Sequence, residues 1–213
     1  MNPYSVMSSA SAQRTAPGNR FERRKERTRR DILAAAERVL ADKGFHETKI
    51  ADIAEMADVG VGTVYLHFAT REALFGAVVE DTVSRLKAFI DAARAGAPTV
   101  VDEVRAGVRA LCRFADENRA VFRIVFGRGA AYHDIVRRAQ ALFAADIEET
   151  LRRGVREGRF DVPSPALTAQ ALVGMSTQLV AWWADHEAAP IAEIESIITQ
   201  LSLRGVCREP GGS

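Results

Sequence analysis

The chain is short of the residues that cysteine, metal or membrane chemistry would need. It has only two cysteines in 213 residues, Cys112 and Cys207. They share no metal-ligand or redox spacing. Cys112 reads as a buried thiol within a helix, and Cys207 as a tail residue. His46, His67, His133 and His186 form no ligand pattern, so neither a metal nor a cofactor is expected. No apolar run is long enough to span a bilayer. The longest, 169–184, is broken by Gln170, Ser176, Thr177 and Gln178. The first eighteen residues contain no apolar stretch of a secretory leader. A cytoplasmic location, where thiols stay reduced, is the expectation.

Strand patterning is missing too, since no segment alternates apolar and polar residues with period two. Catalytic signatures are equally scarce. There is no Ser-His-Asp set, paired-histidine motif or phosphate loop. The glycines at 60–62 and 127–129 follow no strand. An all-helical catalyst with residues converging from distant segments stays open as an alternative. Nor is there an excess of one charge, because the formal net charge is +1. That argues against a chain-wide basic coat for nucleic acid.

The charge is unevenly placed. Eight basic residues between Arg14 and Arg30 face only Glu22 and Glu26, which leaves the rest of the chain at about −5. A basic run of this kind is either a solvated helix face or an electrostatic footprint for DNA. The segment after the run favours the second. Residues Thr48 to Leu74 hold two short apolar-periodic segments separated at Asp58, Val59 and Gly60. Ile50, Ile53, Ala54 and Ala57 share one face of the first segment. Val64, Tyr65 and Phe68 form the second. Two short helices across a tight turn make a helix-turn-helix, which fits the major groove.

Local chemistry supports the motif. Ala54 stands where two steeply crossing helices come closest. Asp58 occupies the turn, where the chain needs a positive φ that Asp tolerates better than most residues. Thr48 and Thr70 are expected to cap the helices that come after them. Neither starts a full capping box, because Ala51 and Ala73 stand where Glu or Gln is wanted. Gly60 opens the second helix.

These residues resemble the DNA-binding domain of TetR-family transcriptional regulators. The resemblance rests on the amphipathic R-R-D-I-L-A-A-A-E-R-V-L-A-D-K-G-F, the run G-T-V-Y-L-H-F, and T-R-E-A-L. It covers roughly Thr28 to Val79. Two positions depart from the family pattern. Asp58 replaces a usual Gly, and Gly60 replaces a usual Ser, so no side-chain hydrogen bond is carried onto Gly60.

The remaining chain reads as helix throughout. Residues 1–19 are expected to form a disordered tail, 20–70 the helix-turn-helix domain, 71–207 a helical effector-binding and dimerisation domain, and 208–213 a flexible tail. The first helix is expected from about Arg20 or Arg27 to Lys43. It buries Ile32, Leu33, Ala36, Val39 and Leu40, with Gly44 as its C′ residue. A long helix runs from Thr70 to about Ala95. Later segments are 99–118, 121–126, 130–157, a helix opened by Ser164 and Pro165, and a last one opened by Pro190 and Ile191. The expected fold class is all-α, a three-helix DNA-binding head joined by a long connecting helix to a larger helical body.

The recognition segment offers Gly60, Val61, Gly62, Thr63 and His67. Val61 and the Thr63 methyl suit thymine methyl groups. Few long side chains reach base edges, so Lys49 and DNA shape are expected to share the readout. The resemblance implies phosphate contacts from Thr48, Thr63, Tyr65, His67 and Arg71. Arg71 also benefits from the helix terminus it opens. Arg27 and Arg30 belong to the basic arm from Arg23 to Arg30, which could lie along the backbone or enter the minor groove.

The resemblance also implies a homodimer on a palindromic operator, with double-stranded DNA and a small-molecule effector as partners. The expected dimer surface is Leu172, Leu179 and Trp183 on one helix, with Ile194, Ile198 and Leu201 on the next. Candidates for the effector pocket are Phe89, Cys112, Phe114, Phe122, Phe126, Phe143, Met175 and Trp182. Arg113, Arg123 and Arg128 read as solvated faces able to pair with an anionic ligand. The overall expectation is a repressor released by its effector. An architectural DNA-binding protein without effector is the alternative from another class.

Overall fold

In a computed structural model the chain is described over residues 17–126, 133–186 and 189–207. The described residues form α1 (Pro17–Glu47), α2 (Ile50–Met56), α3 (Val61–His67), α4 (Arg71–Arg94), α5 (Val100–Glu117), α6 (Arg119–Phe126), α7 (His133–Arg156), α8 (Pro165–Asp185) and α9 (Ile191–Val206). The all-α expectation holds. The beginning of α1 departs from expectation, because the helix already starts at Pro17. The basic residues from Arg20 to Arg30 are therefore a helical extension. Residues 1–16 and 208–213, which include most of both expected tails, lie outside the described residues, as does Arg128.

The apolar stripe of α1 behaves as its spacing predicts. Ile32, Leu33, Ala36, Val39 and Leu40 are all buried. Gly44 adopts φ 73° and ends the regular helix before α2. Ile53 and Ala54 of α2, Val64 of α3, and Leu74, Phe75, Val78 and Val79 of α4 complete one core. That core extends past the boundary drawn after residue 70. It also takes in Val121 of α6, with Ile135 and Val136 of α7 packed against it.

Helix starts and stops in the body are set by side-chain chemistry. Thr99 accepts from the Asp102 N–H (3.1 Å) to open α5. Ser164 accepts from the Leu167 N–H (3.4 Å), with Pro165 in the first turn of α8. α7 packs on α8, α4 on α5, and α5 on α9. A central body core holds Leu86, Phe114, Ala115, Phe122, Val180, Trp183, Ile194 and Ile198. A distal core holds Val100, Leu151, Phe160, Val173 and Val206.

Cys207 is not the loose tail residue expected from the sequence. It pairs with Phe160 in an isolated antiparallel bridge. The Asp161 N–H donates to the Val206 carbonyl nearby (2.8 Å). This closes the body because Phe160, 3 % exposed, folds back over Gly154. A side chain at Gly154 would collide with the Phe160 ring.

Candidate nucleic-acid interface and body cavity

The turn of the helix-turn-helix is built as its sequence requires. Asp58 takes φ 53°. Its N–H donates to the Glu55 carbonyl (3.1 Å), and that of Val59 to the Ala54 carbonyl (3.0 Å). Gly60 is the N-cap of α3 in extended conformation, and its carbonyl accepts from the Thr63 N–H (2.8 Å). Ala54 is buried at the crossing of α2 and α3.

The start of α2 differs from expectation. Lys49, not Thr48, is its N-cap. Thr48 is 2 % exposed, and its hydroxyl donates back to the Gly44 carbonyl (2.6 Å). The hydroxyl thus closes the end of α1, and the buried side chain is not presented to a phosphate. The Lys49 N–H donates to Asp52 Oδ2 (3.2 Å), while Lys43 Nζ lies 3.0 Å from the same carboxylate. The hydrogen bond from Lys43, then that from the Lys49 backbone, hold the Asp52 carboxyl below its ordinary range. The Lys49 side chain stays exposed.

Only Val64 and the flanking Phe68 anchor the recognition helix in the core. Val61, Gly62 and Tyr65 face outward, and Thr63 and His67 are half-buried. Tyr65 is 48 % exposed, so it is not the core aromatic that its spacing also allowed. Leu66, 84 % exposed, was overlooked in the sequence. A single exposed leucine is ordinary on a protein surface, so no local signal marked Leu66. Thr70 caps α4 as expected, accepting from the Ala73 N–H (3.0 Å). Arg71 sits at the first turn of α4, its guanidinium 5.0 Å from the Phe75 ring centroid.

The basic extension reaches this surface. Phe21, Arg24, Lys25 and Thr28 of α1 share a shallow cleft with Asp58, Val59, Thr63 and His67. Arg24 and Lys25 thus stand beside the recognition helix, which the sequence run alone did not single out. Their i, i+3 and i+4 spacing from Phe21 and Thr28 was the available signal. Arg29 lies over the Phe68 ring (5.2 Å to its centroid), Arg27 Nε is 4.0 Å from Asp31, and Arg30 is exposed. The surface is cationic and apolar together, suited to phosphates and to thymine methyls.

The body contains a cavity of about 160 Å³ walled mainly by α4, α5, α7 and α8. Of the expected pocket residues, Phe122 and Phe143 line it. Phe89, Cys112, Phe114 and Met175 instead belong to the core beside it. Burial pushes the Cys112 thiol up to about 12, with a smaller effect from the Glu195 charge. The Phe126 side chain lies outside the described residues.

The two adjacent tryptophans exchange their expected places. Trp182 is 41 % exposed, away from the cavity, and stacks on His186 with ring centroids 4.6 Å apart. Trp183 is 2 % exposed and donates to the Ala189 carbonyl (3.1 Å), with Arg119 over its ring. Ile194 and Ile198 are likewise buried within the chain's own core, so neither is surface for a partner. Leu172 lines the cavity, and Leu179 is half-buried against the central core. Leu201 is the expected interface residue that faces outward. Leu167, Gly174 and Trp182 of α8 are exposed as well.

Comparison with known proteins agrees with this architecture. Residues 32–78 match the model of bacterial regulatory proteins of the tetR family, and residues 97–206 match the tetracyclin repressor-like C-terminal domain. The HTH-type transcriptional regulator YhgD of Bacillus subtilis is 23% identical over 177 residues, covering 81% of this chain and 91% of its own. The HTH-type transcriptional activator FasR of Mycolicibacterium smegmatis is 31% identical over 119 residues, 54% of this chain and 53% of its own. Among solved structures, the fatty acid degradation regulator FadR from Bacillus halodurans superposes with a TM-score of 0.73 at 20% identity, covering 83% of this chain and 94% of that one. RolR in complex with resorcinol gives a TM-score of 0.64 at 23% identity, over 87% and 90% of the two chains. YhgD and FasR are transcriptional regulators, not enzymes. No described helix is long and apolar enough to cross a membrane. With both of its folded parts matched, this chain belongs to the TetR family of DNA-binding transcriptional regulators.

Proposed function

We propose that the chain is a homodimeric repressor that binds a palindromic operator in the cytoplasm and leaves it when a small molecule enters the body cavity. One observation carries the reading. Val121 of α6 is buried in the head core, while its neighbour Phe122 lines the cavity. Ile135 and Val136 of α7 repeat the arrangement, since both pack on the head core and Val136 also lines the cavity. An occupant that moves Phe122 or Val136 therefore strains head packing directly. A ligand favouring the displaced head by roughly 1–3 kcal/mol would weaken DNA binding about 5- to 150-fold.

The proposal includes a division of labour. Lys49, Gly60, Val61, Thr63, Tyr65, His67 and Arg71 meet the DNA, with Leu66 beside them and Arg24, Arg27 and Arg30 along the phosphates. Residues 20–70 act as the reading unit and 71–207 as the sensing and pairing unit. The exposed face of α8 and α9 around Leu167, Gly174, Trp182 and Leu201 pairs two copies. A two-fold pairing there would set two recognition helices on successive half-sites. That a structural neighbour was solved with resorcinol supports a small-molecule occupant. FasR, an activator, supports activation as a second reading of the same DNA-binding event.

Selection of bound duplexes from a random DNA pool at two salt concentrations tests the proposal. A recovered palindrome is the expected result. Binding with no motif that vanishes as salt rises would mean phosphate attraction alone and would replace this reading with an architectural one. A reporter placed downstream of the recovered site separates repression from activation.

A further inference from the structure

The shape of the cavity limits what it can hold. Its lining runs along α4 from Thr82 to Arg94 and along α7 from Val136 to Leu151. At 1.5 Å per residue the α4 stretch alone spans about 18 Å. The two helices run side by side in the same direction. Arg138 meets Glu80 (3.3 Å), Lys87 meets Asp146 (2.9 Å), and Arg94 donates to the Thr150 hydroxyl. The cavity is therefore a slot parallel to the helices. Its walls are aliphatic, with Leu86, Ile90, Val104, Val108 and Leu111 among them. Phe122 and Phe143 are the aromatic rings in its lining, which offers a flat aromatic ligand little to stack on. A volume of about 160 Å³ has room for about five waters, or as many methylene-sized groups.

The end of the slot away from the head is polar. Arg94, Glu103 and Thr150 line it. Arg94 reaches Thr150 and Glu103 through Nη2, one of three guanidinium nitrogens. Gly107 lets the Arg94 side chain lie flat across α5, with the Arg94 Cδ 3.4 Å from where a Cβ would stand. Guanidinium only donates hydrogen bonds, so a head group meeting it must accept them. The carboxylates nearby already have cations, Glu103 with Arg153 and Asp146 with Lys87. A cationic head would have to displace one of these.

We propose that the slot takes one short aliphatic chain, about five or six carbons, whose acyl oxygen accepts hydrogen bonds from Arg94. This deepens the effector-responsive reading and rests on it. The shared chemistry is an acyl chain, whether as a free carboxylate or as a thioester.

Calorimetric titration of the full chain with hexanoate, hexanoyl-coenzyme A and hexan-1-amine tests the assignment. At least one acyl form is expected to bind ten times more tightly than the amine, and the better form identifies the head. Within the acid series, binding should strengthen from propanoate to hexanoate and fall at dodecanoate. Val108→Trp should abolish binding, and Arg94→Gln should bring hexanoate down to the level of the amine. The chain-length series needs no variant, so it decides the matter even if Val108→Trp does not fold. Equal or tighter binding of the amine, no dependence on length, or no acyl binding would overturn the proposal. A palindrome recovered from the DNA selection without acyl binding leaves the regulator standing and removes this ligand class. Acyl binding without a recovered palindrome does the reverse.

Discussion

The head and the body are both bundles of short and long helices, yet they use their interiors differently. In the head, small and branched side chains from α1, α2, α3 and the first turns of α4 close on one another. Ile32, Ala36, Ile53, Val64 and Leu74 are all essentially inaccessible. In the body, α4, α5, α7 and α8 leave a slot between them. A surface that reads DNA must hold α3 in one orientation, and close packing does that. A body that senses a small molecule must keep volume unfilled and accept the lost contacts. The contrast is a division between a rigid reader and a receptive core.

The largest effect should come from opening space in the head. Ile53→Ala is expected to cost roughly 2–5 kcal/mol, measured by urea unfolding. A loss no greater than that from Val108→Ala, at the cavity wall, would break the comparison. Gly154→Ala should come next, at roughly 1–3 kcal/mol, because Phe160 covers that glycine and cannot stay if a Cβ is added. Thermal melting of the full chain would read it, and Gly154→Ala combined with Phe160→Leu should recover part of the loss.

Lys49→Ala with Tyr65→Ala sharpens the comparison from the other side. Two lost contacts at about 0.5–1.5 kcal/mol each predict a roughly 5- to 150-fold weaker operator affinity, with the melting temperature unchanged. Unaltered affinity would remove these residues from the interface. Val108→Leu adds a methylene where space exists. Its stability should be unchanged or raised by up to about 0.8 kcal/mol, whereas Ala54→Leu, in the filled head, should lose about 1–3 kcal/mol. The smallest effect concerns Cys112. With its thiol pushed up to about 12, it should resist alkylation at pH 8 in the folded chain and react once unfolded. The raised value also means that this thiol favours the folded state fully below pH 9. That contribution declines as pH rises from 9 towards 12, because the unfolded chain ionises first.

The helix-turn-helix was legible because its information is local. The positive φ at Asp58, the small Ala54 and the cap at Thr70 are each read from a few neighbouring residues. Thr48 escaped that logic. Its hydroxyl had two partners within reach, the helix ahead and the helix behind, and burial against Val39 and Gly44 decided for the one behind. Leu66 was missed for a related reason, and the basic arm gave no sign that Arg24 would stand next to Thr63 and His67. Each matters through its place beside α3, and that place depends on how α1 lies across the turn.

Local sequence was enough to say that the chain is helical, where α4, α5 and α8 start, which segment forms the DNA-reading turn, and where positive charge collects. These are set by periodicity, capping and φ preference, which act over a few residues. Only the tertiary structure decided which apolar face meets which neighbour. α8 is apolar on nearly every side, so sequence could not say that Trp183 turns inward and Trp182 outward, or that Leu172 meets the cavity while Ile194 and Ile198 meet the core. The slot was beyond sequence altogether, since a cavity is the space that several distant segments together fail to fill.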